Sequence, residues 1–523
     1  MPSDRPNLVF ILADQLRHDT LGCAGHPVIQ TPHIDRIARE GTRMRRCYAQ
    51  CAVCGPGRSS MLTGHSVAAT GVLDHPCIYG ENADRLMPQP THDEVLDRAG
   101  YHVEYYGKWH CPIHHARVYR NTVHVAGLDR ADEGFGVPLE KAFKQYIDEH
   151  VPAADPMPGE QLDALYGRPY RMDPIDSRFG QPPSPTVAGR PPGPVKPTQP
   201  DNHGLMLIDP QHSRTAYEGR TAVAALDRLA EQDKPFGVHF DFFVPHAPHV
   251  VTEPYHRLYP TGDVPIPVSI NDPLFDSPYK PEQNGGSWLP QYRDPAKLAH
   301  FISNYLGTVT ELDHWIGAIL DQLDTLGLAD NTLVVFCSDH GEMLGAHGLR
   351  EKNVFYEESA RVPMMLRLPG QIPAGRVVET PVSTIDVFAT LLDYLGTPAP
   401  PNHGRPWQPL INGQEDPDAA VVTEWHFHGP TQPNYMVRQG PWKYIARNDA
   451  AGLGIDGLYQ LDDDPHEMTN LIGDHADRHL YQAVVQGMRA EWAAWADRCA
   501  VPAELRAGLD SRPILPEPEH TPQ

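Results

Sequence analysis

Two uninterrupted apolar runs lie far apart in the chain. Asn7-Leu8-Val9-Phe10-Ile11-Leu12-Ala13 stops at Asp14-Gln15, and Thr332-Leu333-Val334-Val335-Phe336-Cys337 stops at Ser338-Asp339-His340-Gly341. A strand buried on both faces shows no polar alternation, so each run reads as an interior strand with polar groups at its carboxyl end. Between them, helical stretches at His33 to Glu40 and Thr91 to Ala99 and a strand-like stretch at Phe236 to Phe243 continue an alternation of strands and helices over the first 400 residues. That order predicts an α/β fold, a large mostly parallel sheet sandwiched by helices. Ligands in such folds gather beyond the carboxyl ends of the strands, so the two acidic clusters are expected to meet at one edge.

The regular pattern breaks from about Val151 to Asp201, where Gln181-Pro182-Pro183-Ser184-Pro185 and Arg190-Pro191-Pro192-Gly193-Pro194 disfavour helix and sheet interiors. The segment, about 151–215, reads as an insertion over the surface, either lid or spacer. A second Pro-rich stretch, Pro398 to Pro409, follows the helix Ile385 to Leu395 and sets the expected boundary: a catalytic domain over 1–400 and a smaller C-terminal α+β domain over 401–523. In the latter, Pro441-Trp442-Lys443-Tyr444-Ile445-Ala446 and Gly457-Leu458-Tyr459-Gln460-Leu461 look like short antiparallel strands, and His479 to Ala500 is an amphipathic helix. Asp462-Asp463-Asp464 fits a solvated turn better than a calcium loop.

Charge narrows the partners. Lys plus Arg total 43 against 67 Asp plus Glu, a formal charge of −24, which argues against nucleic acid or an anionic membrane as a general partner. Any bound anion needs a local positive site. Eight cysteines are too sparse for a disulfide framework in 523 residues. Cys51 and Cys54 have CxxC spacing, which alone would suggest zinc or redox chemistry. The first apolar run is too short to span a bilayer, and no later run approaches the ~20 residues required, so the expected address is the cytoplasm.

Cys54-Gly55-Pro56-Gly57-Arg58 resembles the Cys-x-Pro-x-Arg signature of the formylglycine-dependent sulfatases, members of the alkaline-phosphatase-like superfamily. The resemblance implies that a maturation enzyme oxidises Cys54 to formylglycine, whose hydrate is the nucleophile, and that Arg58 holds it. A gem-diol suits the task because its second hydroxyl can expel the product, an escape a serine ester lacks. Gly57 departs from the Ser or Ala usual in the family. The resemblance extends through the chain and implies metal ligation by Asp14, Gln15, Asp339, His340 and the group derived from Cys54. Carboxylate and amide oxygens favour Ca²⁺, while the imidazole makes Mn²⁺ the main alternative. Many sulfatases carry Asp in place of Gln15 and Asn in place of His340.

Gly107-Lys108-Trp109-His110 is similar to the family segment whose lysine touches sulfate and nucleophile and whose histidine is the base in hemiacetal breakdown. Lys108 and His110 take those roles by resemblance. Pro245-His246-Ala247-Pro248 matches the segment whose histidine contacts the leaving ester oxygen. That implicates His246, leaving His249 as bystander or substrate contact. Lys352 matches the second sulfate-contacting lysine, and His347 is a further candidate for the substrate pocket. Together with the metal, Arg58, Lys108 and Lys352 would form a cationic pocket in an acidic protein, the arrangement expected to stabilise an oxyanion.

The activity so implied is hydrolysis of a small-molecule or saccharide sulfate ester through a covalent sulfated intermediate. Phosphonate monoester or phosphodiester hydrolysis at the same site is the alternative, since Gln15 and His340 lean toward that branch or toward choline-sulfatase-like enzymes. A catalytically silent anion-binding protein would have lost a catalytic position, and none of the matched positions is lost. A Ser- or Thr-dependent phosphatase would want a hydroxyl where Cys54 stands. Aryl, sugar and choline sulfates share this chemistry, with specificity expected from 151–215, 250–300 and Trp425-His426-Phe427-His428. A homo-oligomer is compatible with the sequence.

Overall fold

Every position of Asn7–Ala13 (β1) is buried, because alternate side chains enter two different cores. Leu8, Phe10 and Leu12 face one and Val9, Ile11 and Ala13 the other. The computed structural model describes residues 5–74, 82–119, 121–123, 139–153, 161–162, 169–172, 203–279, 293–426, 433–447, 456–473 and 477–510.

The other strands of the main sheet are Thr42–Met44 (β2), His102–Gly107 (β3), Asn121–Val123 (β4), Phe236–Phe242 (β5), Thr332–Ser338 (β6), Met364–Arg367 (β7) and Arg376–Val378 (β8). They form an eight-stranded sheet in the order β8-β2-β7-β6-β1-β5-β3-β4. The inner ladder β6, β1, β5 and β3 is parallel throughout, and β7 alone runs antiparallel to its neighbours β6 and β2.

Helices cover both faces. Pro32–Glu40 (α1) packs on the β1 face that carries Val9 and Ile11. Cys54–Thr63 (α2) and His92–Arg98 (α3) pack on the opposite one. Arg214–Ala230 (α4) and the long Pro295–Thr325 (α5) join α1, while Val387–Tyr394 (α6) joins α2 and α3. Helix α3 begins where Thr91 and Glu94 form a reciprocal capping box, and α1 begins with proline at its first position, where no donor is lost.

Val421–His426 (β9), Pro433–Gln439 (β10), Trp442–Ala446 (β11) and Gly457–Gln460 (β12) form a separate antiparallel sheet, with Gln482–Arg498 (α7) packed on it. It is tied to the main body through buried polar contacts. Glu424 accepts from Gln50 Nε2 at 3.1 Å and from Val67 N at 2.9 Å, gripping the chain on both sides of α2.

Within the expected insertion, the short strands 161–162, 169–172 and 203–206 pair in one small sheet with 249–251. The Pro-rich run from Gln181 to Pro194 lies outside the described residues, as do Phe427 and His428.

Candidate active site

Cys54 is the first residue of α2, and every residue of that helix is buried. The helix N-terminus carries partial positive charge, which favours an anion at position 54. Gly57 has a steric reason: a Cβ there would sit 2.7 Å from the Cys51 carbonyl oxygen and 3.4 Å from that of Asp339. Serine or alanine would not fit this packing without movement of backbone. Gly107 (φ 110°) similarly lets β3 close on the Asp241 carbonyl, which accepts from Lys108 N at 3.0 Å.

The ends of β1 and β6 meet beside Cys54, as the two apolar runs imply. Asp14, Cys54, Asp339 and His340 each offer a ligand atom, all within 4.8 Å of one another. His340 Nε2 lies 2.9 Å from Cys54 Sγ and 3.8 Å from both Asp14 Oδ1 and Asp339 Oδ1. Its Nδ1 is 2.9 Å from the Gly341 carbonyl, which can only accept, so Nδ1 bears a proton; Nε2 faces the Cys54 sulfur and, in the neutral ring, would present its lone pair to a cation. Two carboxylates and that lone pair fit one hard or borderline divalent cation. Gln15 adjoins them: its N–H donates to Asp339 Oδ1 at 3.2 Å, while its side-chain Oε1 accepts from Lys352 at 2.6 Å. An amide oxygen has two lone pairs, so that contact leaves one free for a cation. Gln15 Nε2 donates to Glu342.

Five cationic or ionisable groups surround the cluster. Lys108 pairs with Asp14 and lies 3.6 Å from Cys54 Sγ. Arg58 is buried and spans three carboxylates: Nε to Asp339 at 2.7 Å, one terminal nitrogen to Asp241 at 3.0 Å and the other to Asp14 at 3.3 Å. Lys352 Nζ reaches His246 Nε2 at 2.9 Å. His246 Nδ1 is 2.8 Å from the Ala247 carbonyl, which fixes Nδ1 as donor and leaves Nε2 to accept from Lys352. His110, at φ 51°, turns back to hydrogen-bond Cys54.

Burial pushes the Cys54 thiol up, but Lys108, Lys352 and His340 outweigh it and hold it well below its usual range. Burial and the thiolate raise Asp14, yet Lys108, His246 and Arg58 leave it below the ordinary carboxylate range. His246 is lowered by burial and then by Lys352 and Lys108. Glu342 is raised by burial and by Glu351.

Cys54, Arg58, Lys108, His110, His246, Lys352, Asp14, Gln15, Asp339 and His340 thus come together. His347 is held elsewhere: its Nδ1 pairs with Asp272 at 2.6 Å and its ring stacks on Tyr356 at 3.9 Å. His249 is buried against Phe301 and Tyr305. Asp241 and Glu342 escaped the sequence reading. A signal for Asp241 exists in Val238-His239-Phe240-Asp241-Phe242, where polar residues alternate in an otherwise apolar interior strand.

Residues 6–397 match the family model described as sulfatase, and residues 345–493 match that for the C-terminal part of N-sulphoglucosamine sulphohydrolase. An N-acetylglucosamine-6-O-sulfatase of Bacteroides thetaiotaomicron is 27% identical over 490 residues, covering 90% of this chain and 83% of the relative. A choline-sulfatase of Rhizobium meliloti is 26% identical, covering 99% and 92%. The crystal structure of phosphonate monoester hydrolase of Agrobacterium radiobacter superposes with a TM-score of 0.69 at 24% identity, covering 94% of this chain and 96% of that one.

Proposed function

Because the chain belongs to the sulfatase family of sulfuric ester hydrolases, we propose that it cleaves a small-molecule or saccharide sulfate ester with formylglycine derived from Cys54. The observation that carries this reading is the convergence of His340, Lys108 and His110 on position 54, at a buried helix N-terminus. The hydrated aldehyde would supply an oxygen nucleophile and a second hydroxyl through which sulfate is released. A divalent cation at Asp14, Gln15, Asp339 and His340, with Ca²⁺ or Mn²⁺ suited to that donor set, would supply positive charge that favours an ionised oxygen at position 54.

The side chains divide the remaining work. Lys108 and Lys352 bind the sulfate oxygens, and their charge is fixed before the reaction begins. Arg58, locked by three carboxylates, orients residue 54. In the free site His246 Nε2 accepts from the Lys352 ammonium; with Lys352 turned to the sulfate and His246 protonated, the Nε2 proton passes to the departing ester oxygen as the sulfur–oxygen bond breaks. That proton matters for alkyl and sugar alcohols and less for phenols, which leave readily as anions. His110 accepts the proton of the second hydroxyl when sulfate departs. A competent maturation enzyme is required in the producing cell.

The fold shared with a phosphonate monoester hydrolase, together with Gln15 and His340, favours a second reading, hydrolysis of phosphonate monoesters or phosphodiesters at the same site. Turnover of 4-nitrophenyl sulfate, 4-nitrophenyl phenylphosphonate and bis(4-nitrophenyl) phosphate by matured protein separates the two. The first reading requires the sulfate to have the highest kcat/KM, and a sulfate much slower than both phosphorus esters overturns it.

A further inference from the structure

Beneath Arg58 lies a second group of buried ionisable residues. Asp241 Oδ2 holds the Arg58 guanidinium at 3.0 Å and also accepts from Tyr105 Oη. Two positions back on the same face of β5 is His239, whose Nδ1 faces Asp241 Oδ1 at 3.6 Å; neither atom has a hydrogen-bond partner among the described residues. His239 Nε2 meets Asp93 Oδ2 at 3.2 Å and His92 Nε2 at 3.0 Å, and Tyr119 Oη donates to the same Asp93 oxygen at 2.8 Å. Phe10, Tyr105 and His92 stack around the His239 ring at 4.7, 5.1 and 5.1 Å. All are in the dry interior, so uncompensated charge would be expensive.

Two species could occupy the point where His92, Asp93 and His239 converge: a proton or a metal ion. Geometry favours the proton: with both ring nitrogens of His239 protonated, Nε2 faces Asp93 Oδ2 at 3.2 Å and Nδ1 faces Asp241 Oδ1, otherwise unpartnered among the described residues, at 3.6 Å. Burial by itself pushes His239 down, but Asp93 and the contacts with Asp241 and Asp93 lift it to about 9, while burial lowers His92 to about 4.

We propose that Asp241 is a positioning residue for Arg58, and that the imidazolium of His239, bridged to Asp93, is the buried counter-charge that keeps the Asp241 carboxylate aimed. The line from Asp93 through His239 and Asp241 to Arg58 thus fixes residue 54 from behind, with no contact to substrate. Removing Asp241's charge should free the guanidinium to lean toward Asp14 and Asp339 and should slow turnover without weakening substrate binding.

Only the kinetic arm of the test rests on the sulfatase reading. Full-length wild type, Asp241→Asn, His239→Asn and the double variant are assayed on 4-nitrophenyl sulfate, normalised to formylglycine content. The expected result is a fall in kcat of roughly 10- to 100-fold for each single variant with KM nearly unchanged. The double variant should be no slower than Asp241→Asn, since both act through one line. ¹⁵N-histidine NMR of the wild type needs neither substrate nor variant, and should show His239 carrying both ring protons at neutral pH. Additive losses that follow thermal stability overturn the proposal. So does a neutral His239, or a tightly held second metal that is lost in His92→Ala. A wild type inactive on every sulfate ester but with a protonated His239 would refute the sulfate reading and leave the positioning line standing.

Discussion

Replacing Lys352 by methionine removes a buried ammonium while keeping most of the side chain's length. In the native site that group donates to Gln15 Oε1 at 2.6 Å and to His246 Nε2 at 2.9 Å, and only 7% of Lys352 is exposed. A unit charge about 4 Å from a sulfate oxygen is worth about 4 kcal/mol at an effective dielectric constant near 20. Loss of one preorganised donor to a developing oxyanion lowers turnover by about 10²- to 10³-fold, or about 2.7–4 kcal/mol, and that is the fall expected in kcat/KM. A second effect has a definite sign. His246 is held down by burial and then by Lys352, so removing the lysine raises it toward its ordinary value of 6.5. A stronger hold on its proton extends the protonated form to higher pH. The alkaline limb of kcat/KM for an alkyl sulfate should therefore move to higher pH in Lys352→Met while the absolute rate falls. Steady-state rates from pH 5 to 9 on an alkyl and an aryl sulfate measure both. A loss under about fivefold, or a limb that stays in place, refutes the assigned roles of Lys352 and His246.

Three further outcomes follow from the geometry. Gly57→Ala, which would normally steady a helix, should instead destabilise by about 1–3 kcal/mol because its Cβ meets the Cys51 carbonyl at 2.7 Å; a raised thermal midpoint would contradict this. Lys443→Met strands Glu357 and Glu467, which the lysine pairs at 3.1 and 2.8 Å in full burial, and should remove about 3–5 kcal/mol at neutral pH. Lowering the pH to 5 should recover part of that loss, since Glu467 is raised to about 7 by burial, and an equal deficit at both pH values would count against the pairing. His239, lifted from 6.5 to about 9 against the pull of burial, contributes stability that is complete below 6.5 and lost as pH rises through 9. The groups facing it are Asp93, Asp241 and His92, so the wild-type midpoint should fall more steeply than that of His239→Asn between pH 7 and 10.

The sheet was legible because β1 and β6 are buried on both faces, which forces continuous apolar runs, and because those runs end in Asp14 and Asp339. Their meeting point followed from the rule for parallel strands. The cations at 58, 108 and 352 were found by motif rather than by periodicity, as side chains at a sheet edge carry no repeating signal. Pairing of 203–206 with 249–251 depends on contacts distant in sequence and left no trace in composition. The engagement of Gln15 Oε1 by Lys352, and of His347 by Asp272, depends on tertiary packing in the same way. Asp241 and His239 were visible as polar alternation in β5, but only the packing of Arg58 against that strand gives the pattern a purpose.

The chemistry of the site turns on one side chain, that of Cys54. Protein produced together with a formylglycine-generating enzyme, digested with trypsin, yields the peptide Cys47 to Arg58, whose mass reports the state of Cys54. Residue 54 is expected to be converted from thiol to aldehyde, giving a peptide about 18 Da lighter. Sulfate-ester turnover should rise in proportion to the converted fraction and be abolished in Cys54→Ala. Full turnover from protein that retains the Cys54 thiol would contradict the formylglycine reading.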